Sequence, residues 1–310
     1  MLPDTFPHRP GKTVPFSLGY DGGAVQGWAF CGERAGPTVA ITAGMHGCEY
    51  VGIEAARRLL SLLEPKKLRG RVLLFPLLNP AGFFGGHKQV FPQDGQNLNR
   101  QFPGAPQGSH TQRLAACLEE RLYPVTDFLL DLHGGDWNES LTPLVFHPVA
   151  VSDAIRQQSE AAAAALTVPF RVASRADNGL YSRAAHLGIP ALLLERGCRG
   201  QWSESEVTAM VEDVLCLLDH LGVRSHSPSE HPFQTAIRQA RYLEAPNDGF
   251  WYSAVSAGAS VQQGQILGRL VDAGGRELAV YTADWDGIVL YHTVTLGVQQ
   301  GDALVAYGRP

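Results

Sequence analysis

A short polar motif after an apolar stretch constrains this chain most. The apolar run Val39–Ala43 is typical of a buried strand, and His46 and Glu49 follow it, three residues apart. A second apolar run, Phe128–Leu132, ends in the same way at His133. In an open α/β sheet, ligands bind where strands finish at their carboxyl edge. Two imidazoles and one carboxylate delivered there are the ligand set of hydrolytic zinc sites.

The pattern from Val39 to about Leu221 alternates strands with helices. Such alternation predicts an α/β fold with a mostly parallel or mixed sheet and helices on both faces. Gly22 and Gly23 indicate a hairpin added before this core. The predicted strands are Val39–Ala43, Val72–Leu77, Phe128–Leu132, Leu144–Phe146 and Ala191–Leu194, and the predicted helices are Val51–Leu63, Ser109–Leu122, Ala154–Ala165, Leu180–His186 and Glu204–Leu221.

Composition changes after Leu221, which predicts a second domain. The stretch Gly222–Pro232 is rich in serine and proline and is linker-like. We therefore expect a catalytic domain over residues 1–224 and a linker with a small all-β domain over 225–310.

A short repeat organises the C-terminal segment. Val261–Gly264 recurs as Val298–Gly301, 37 residues further on, which predicts a small β-barrel of two similar halves. The segment resembles the lipoyl/biotinyl-type barrel-sandwich domains, whose carrier function needs a lysine on a hairpin. No lysine occurs after Lys88. This excludes a covalently modified carrier and leaves a structural or gating role.

Charge and composition exclude several classes of protein. The 310 residues carry a net charge of −5, with 45% apolar residues and a pI near 6.1. Nucleic-acid and membrane-surface binders need a concentrated basic face, so neither partner is expected. Five cysteines without a paired spacing favour a reducing compartment. We expect a soluble, cytoplasmic protein with a small-molecule substrate; the sequence leaves open whether it forms a homo-oligomer.

Two further segments carry residue types suited to catalysis and binding. The strand Ala191–Leu194 ends at Glu195, a third acid–base or metal-type residue at a strand end. The loop containing Asn99 and Arg100 offers a guanidinium fork and a neutral donor, which suit a substrate carboxylate. From this loop alone, a solvated arginine is the simpler interpretation.

Taken together, these motifs resemble the succinylglutamate desuccinylase/aspartoacylase family, relatives of the zinc carboxypeptidases. The resemblance rests on Gly44–Glu49, Asn97–Gly104, Asp131–His133 and Glu195–Gly197, which occur in this order. It implies a zinc carboxypeptidase-like sheet followed by a C-terminal β domain. It also implies cleavage of the amide bond of an N-acylated amino acid or a similar carboxylate-bearing molecule.

The resemblance also implies residue roles. His46, Glu49 and His133 would bind one Zn²⁺ per chain, and Glu195 would be the general base. Asn99 and Arg100 would hold the substrate carboxylate. Many relatives carry an arginine shortly before the Asp94-containing loop, whereas this chain has Lys88 there. Either Lys88 or an arginine from elsewhere would stabilise the oxyanion.

Two alternatives stay open at this point. A zinc carboxypeptidase acting on short peptides would use the same ligands and carboxylate clamp. A non-catalytic small-molecule-binding relative would need no general base. The presence of Glu195, a candidate general base, therefore argues against this alternative. Among the other polar residues, Asp131 shares a strand face with His133 and is suited to orient it. His147 at a strand end and Tyr181 before a helix are candidates for the pocket wall.

Overall fold

The computed structural model describes residues 6–225 and 233–310. The N-terminal residues Met1–Asp4 and most of the linker-like stretch, residues 226–232, lie outside this part. The helices are α1 (Tyr50–Leu62), α2 (Pro80–Gly85), α3 (His110–Arg121), α4 (Asp153–Ala164), α5 (Leu180–His186) and α6 (Glu204–His220), with short 3-10 turns at Pro65–Lys67, Leu98–Arg100 and Tyr123–Val125. The strands of the first part are β1 (Lys12–Tyr20), β2 (Gly23–Cys31), β3 (Arg34–Ala43), β4 (Arg69–Phe75), β5 (Phe128–His133), β6 (Glu139–Leu141), β7 (Leu144–Pro148), β8 (Phe170–Ser174) and β9 (Ala191–Glu195). Those of the second part are β10 (Thr235–Ile237), β11 (Gln239–Glu244), β12 (Gly249–Ser253), β13 (Ser260–Val261), β14 (Ile266–Val271), β15 (Glu277–Thr282), β16 (Gly287–Thr293), β17 (Gly297–Val298) and β18 (Ala303–Arg309).

Nine strands form the central sheet in the order β1-β2-β4-β3-β5-β9-β7-β8-β10. Its centre is parallel, with β4, β3, β5 and β9 side by side, while β7 runs antiparallel to β9. The predicted mixed α/β sheet is therefore confirmed, as is the β1–β2 hairpin around Gly22. The strand β8 and the helix α2 were not predicted, because Arg171 interrupts the apolar residues of β8 and the six residues of α2 are too few for a periodic signal.

Helices cover both faces of this sheet. Alternate residues of the central strands are buried against α1 and α6 on one face, as with Ile41 and Leu130. Their neighbours Ala40 and Leu129 are buried against α3 and α5 on the other face. Burial on both faces explains why these strands have continuous apolar sequences rather than alternating ones. Because both faces are covered, polar side chains of these strands are accommodated at the strand ends.

The C-terminal sheets show the predicted internal repeat. Gly264 and Gly301 both adopt positive φ angles, 81° and 86°. The N–H of each donates at 2.8 Å to an alanine carbonyl, Ala283 and Ala245 respectively. The preceding glutamines, Gln263 and Gln300, donate their N–H groups at 2.8 Å to Asp286 and Asp248. Matching hydrogen bonds at matching positions make the two halves equivalent, as the sequence repeat predicts.

The two parts of the chain share strands at their junction. β6 pairs with β16 of the C-terminal sheet, with Glu139 opposite Thr293. In return, β10 extends the central sheet beside β8. The proposed division at residues 224 and 225 stays a prediction. Through the pairing of β6 with β16, the C-terminal part contacts the segment that follows β5.

None of the helices in residues 6–225 and 233–310 is both long and apolar enough to cross a bilayer. The cytoplasmic location stays a prediction.

Candidate active site

The three candidate metal ligands meet at the ends of β3 and β5. Gly44 ends β3 with a positive φ of 65°, a conformation that glycine adopts at no steric cost. The turn that follows presents His46 and places Glu49 directly before α1. His133 is the last residue of β5, the strand beside β3. All three side chains are buried.

The donor atoms of these residues converge. The Nδ1 atoms of His46 and His133 lie 2.6 and 3.0 Å from the two carboxylate oxygens of Glu49. One donor atom from each residue lies within 4.8 Å of the others. Two imidazole nitrogens and a carboxylate oxygen at this spacing fit a Zn²⁺ ion with a coordination position left open. The predicted residues are thus brought together as a set that could hold a metal.

The Nε2 nitrogen of each imidazole also has a hydrogen-bonding partner. Nε2 of His133 lies 2.9 Å from Oδ2 of Asp131, and Oδ1 of Asp131 accepts a hydrogen bond from Thr42 at 2.7 Å. Nε2 of His46 lies 3.1 Å from Oδ1 of Asn97. Contacts of this kind fix the orientation and tautomer of a metal-binding histidine. The orienting role considered for Asp131 agrees with this geometry.

Electrostatics in the cluster favour positive charge. Burial opposes protonation of His133, but the carboxylates of Asp131 and Glu49 outweigh it and raise its pKa well above the usual value. Burial likewise opposes ionisation of Glu49, yet His46 and His133 lower its pKa to about 2. The carboxylates of Glu49 and Asp131 thus favour positive charge in the cluster, as protons on the imidazoles or as a metal ion that replaces them.

Glu195 stands beside the cluster. β9 runs parallel to β5 with Glu195 in register with His133, which brings the two side chains to the same sheet edge. Its Oε2 is buried and has no hydrogen-bond partner among the described residues. Burial raises the pKa of Glu195 to about 8, close enough to neutral pH for the group both to take up and to release a proton.

A cavity of about 620 Å³ opens from these residues. Asn99, Arg100 and Lys88 all line it. Asn99 is buried, and its Oδ1 accepts the N–H of Leu180 at 3.0 Å, which leaves its amide nitrogen to donate to a ligand. Arg100 is exposed to the cavity, with one guanidinium nitrogen donating to the carbonyl of Asn99 at 2.8 Å. Lys88 Nζ lies 3.7 Å from Oδ2 of Asp136.

Sequence reasoning missed much of the cavity wall. Asp136 and Glu139 line it from the loop after β5 and from β6. Their position just beyond His133, at the carboxyl edge of a strand, was the signal that could have found them. The C-terminal part contributes Tyr242, Tyr291 and Asp302, among others. Nothing local in their sequence marks these three residues, because a non-local strand pairing brings them to the cavity.

The structure also locates Tyr181, His147 and Cys48. Tyr181 lines the cavity and is buried, with its hydroxyl donating to Ser174 Oγ at 2.6 Å. His147 is buried but is not among the residues that line the cavity. Cys48 donates its S–H to Asp136 at 3.1 Å, and burial raises the pKa of its thiol, so it is an unreactive packing residue.

Comparison with known proteins shows which family the chain belongs to. Residues 35–221 match the succinylglutamate desuccinylase/aspartoacylase catalytic domain. The chain belongs to this family. The matched range runs from β3 to the end of α6 and so includes His46, Glu49, His133 and Glu195.

Individual proteins are similar to this chain over most of its length. The N-alpha-acetyl-L-2,4-diaminobutyric acid deacetylase of Halomonas elongata is 30% identical over 280 residues, covering 87% of this chain and 81% of that protein. A succinylglutamate desuccinylase/aspartoacylase structure from Rhodobacter sphaeroides is 27% identical, with a TM-score of 0.84 over 97% of this chain and 96% of the other. The ectoine utilization protein EutE (DoeB) of Ruegeria pomeroyi shares the fold, with a TM-score of 0.87 at 23% identity over 99% and 98% of the two chains.

Proposed function

We propose that this chain is a zinc-dependent hydrolase that cleaves the amide bond of an N-acylated amino acid. One observation carries the proposal: His46, His133 and Glu49 converge beside the unpartnered carboxylate of Glu195. Membership of the family and the similarity to a deacetylase of an acylated amino acid support the reaction type.

The metal would be held by the two Nδ1 atoms and by the carboxylate of Glu49. When bound, Zn²⁺ polarises the scissile carbonyl and lowers the pKa of water toward 7, which no side chain here can do. When the imidazoles are neutral, Asp131 and Asn97 would favour the tautomer that presents Nδ1 as a lone-pair donor.

Glu195 would carry the proton through the reaction. Its carboxylate takes a proton from the attacking water as the new C–O bond forms. It then delivers that proton to the leaving nitrogen as the C–N bond breaks, which yields a carboxylic acid and a free amine. A protein that only binds would need no proton acceptor beside the candidate metal ligands, which argues against the non-catalytic alternative.

Asn99 and Arg100 would hold the substrate carboxylate, and Lys88 would stabilise the oxyanion. Both cations line the cavity, and the guanidinium of Arg100 keeps donors free for a ligand. Tyr242 and Tyr291 of the C-terminal part line the same cavity. These walls favour a small substrate, so we prefer an acylated amino acid to the peptide substrate of a carboxypeptidase.

A hydrolysis screen tests the proposal directly. N-acetyl, N-formyl and N-succinyl amino acids would be compared with short peptides, each with and without a chelator. We expect acylated amino acids to be cleaved, and activity to disappear on chelation and return with Zn²⁺. Chelator-resistant hydrolysis, or cleavage of peptides alone, would refute the proposal.

A further inference from the structure

Glu139 is held in position by its backbone but has a free side chain. Its N–H donates to the carbonyl of Asp136, and its carbonyl accepts the N–H of Arg199, both at 3.0 Å. β6 is also paired with β16, which fixes Glu139 against the C-terminal sheet. Its carboxylate lines the cavity and forms no hydrogen bond or ion pair with residues 6–225 or 233–310.

The carboxylate of the neighbouring residue Asp136, in contrast, accepts hydrogen bonds. Asp136 accepts the S–H of Cys48 at 3.1 Å and a hydrogen bond from the amide of Gln89. Lys88 Nζ lies 3.7 Å from the same group. Lys88 thus pairs with Asp136 and acts on Glu139 only at longer range, so no cation among the described residues forms an ion pair with Glu139.

Carboxyl groups outnumber the lysine and arginine side chains that line the cavity. Two cationic side chains, Lys88 and Arg100, face six carboxylates. These are Glu49, Asp136, Glu139, Glu195, Glu244 and Asp302. Even with a divalent metal bound, these carboxyl groups would outnumber the positive charges of Lys88, Arg100 and the metal. Glu195 also presents a buried oxygen that no donor in the described residues satisfies.

Such a cavity repels a second negative charge on the substrate. Burial, with repulsion from Asp136 and Glu195, raises the pKa of Glu139 well above its usual value. A bound cation would relieve that repulsion and supply the missing hydrogen bond. Tyr242 and Tyr291, with ring centroids 6.3 Å apart, add aromatic faces to the same cavity, and aromatic faces attract cations.

We propose that Glu139 binds a protonated amine of the substrate and so selects an N-acylated diamino acid. This inference rests on the proposed hydrolysis and adds its substrate class. The N-acyl derivatives of aspartate or glutamate would instead bring a second carboxylate toward Glu139. The similar deacetylase of Halomonas elongata is named for an acylated diamino acid, which has a free amine of this kind.

Three substrates of nearly equal size isolate the charge. N-acetyl-2,4-diaminobutyrate carries an amine at the end of its side chain, N-acetylnorvaline a methyl group and N-acetylglutamate a carboxylate. A charge-assisted hydrogen bond contributes about 1.5–3 kcal/mol. We therefore expect kcat/KM of the wild type to be about 10–100-fold higher for the diaminobutyrate than for the norvaline derivative, and lowest for the glutamate derivative.

The variants Glu139→Gln and Glu139→Asp, with Glu277→Gln as an exposed control on β15, complete the experiment. Glu139→Gln should remove the preference, because it lowers kcat/KM for the diaminobutyrate derivative much more than for the norvaline derivative. Glu139→Asp should keep part of the preference, and Glu277→Gln all of it. Equal losses on both substrates, or a wild type without preference, would overturn the role of Glu139 while leaving the hydrolase intact.

The experiment distinguishes failure of the proposed hydrolysis from failure of the proposed role of Glu139. If the wild type cleaves none of the substrates, the proposed function fails. Calorimetric binding of free 2,4-diaminobutyrate and of norvaline then still tests the subsite. Weaker binding of the diamino acid to Glu139→Gln, with norvaline unaffected, would support it; unchanged binding would overturn it.

Discussion

Nε2 of His133 lies 2.9 Å from Oδ2 of Asp131, which precedes it by two residues on the same strand. Side chains two residues apart on a strand share a face. The contact directs Nδ1 of His133 toward Glu49, 3.0 Å away. A hydrogen bond formed within one strand thus orients a donor of the proposed metal site.

Replacement of Asp131 by asparagine tests this orientation. We expect Asp131→Asn to weaken Zn²⁺ binding by about 10–100-fold, because the amide no longer enforces the tautomer with a free Nδ1. Competition with a chromogenic chelator measures the affinity. Thr42→Val is the control, since it removes a hydrogen bond to the other oxygen of Asp131 and leaves the His133 contact intact. Equal metal affinity in Asp131→Asn and the wild type would contradict the orienting role.

The variant Glu195→Gln should separate metal binding from proton transfer. Glutamine fills the same volume but cannot accept a proton, so we expect kcat to fall by about 10²–10⁴-fold. KM and the Zn²⁺ content should stay near the wild-type values. Steady-state kinetics with metal analysis of the same sample provide the measurement, and Glu277→Gln serves as the control. A fully active Glu195→Gln would show that another group is the base.

Removal of the guanidinium tests the carboxylate clamp. Arg100→Ala should raise KM for substrates with a free α-carboxylate by about 10–100-fold, since a charge-assisted hydrogen bond contributes about 1.5–3 kcal/mol. Substrates with an α-carboxamide should be affected much less. The matched control is Arg57→Ala, an exposed arginine on α1 paired with Glu54. The clamp assignment falls if both substrate types lose affinity equally.

The metal-type residues could be predicted because their signal is local. His46, His133 and Glu195 each follow a buried apolar strand, and strands of one parallel sheet end at a common edge. The position of each side chain follows from its place on its own strand. No tertiary information beyond the class of sheet is needed.

The cavity wall could not be predicted in this way. Glu139 and Tyr291 come together because β6 pairs with β16, an association of segments far apart in the chain. Asn99 shows a second limit. Its sequence context indicated a ligand-binding amide, whereas its acceptor oxygen is used by the N–H of Leu180 at the start of α5. Local patterns do not reveal which partners a side chain already has.

Arg196, the residue after Glu195, stabilises the fold. Arg196 is buried and donates from Nε to Asp213 at 2.6 Å, while Thr167 donates to the other oxygen of Asp213. Asp213→Ala leaves a buried guanidinium without its counterion, so we expect the free energy of unfolding to fall by about 3–5 kcal/mol. Denaturant titration gives the value. The exposed pair of Asp153 with Arg156 supplies the control, because Asp153→Ala should cost at most about 1 kcal/mol.

Asp94 ties the loop that carries Asn99 and Arg100 to the start of α3. Its two oxygens accept hydrogen bonds from the hydroxyl and the N–H of Thr111, at 2.6 and 2.7 Å. Burial acts against ionisation of Asp94, but these donors outweigh it and lower its pKa below the ordinary 3.8. The folded state therefore binds this proton less readily than the unfolded state does.

It follows that Asp94 contributes stability above about pH 4, and that this contribution is lost as the pH falls through its lower folded pKa. Asp94→Asn should be less stable than the wild type at pH 7, with the difference shrinking below about pH 4. Thermal unfolding at pH 7, 5 and 3 would show this convergence. Because Asp94 is partly exposed, we expect a modest difference and predict only its direction. A gap between the two proteins that stays constant over this range would show that the ionised carboxylate is not what holds the loop.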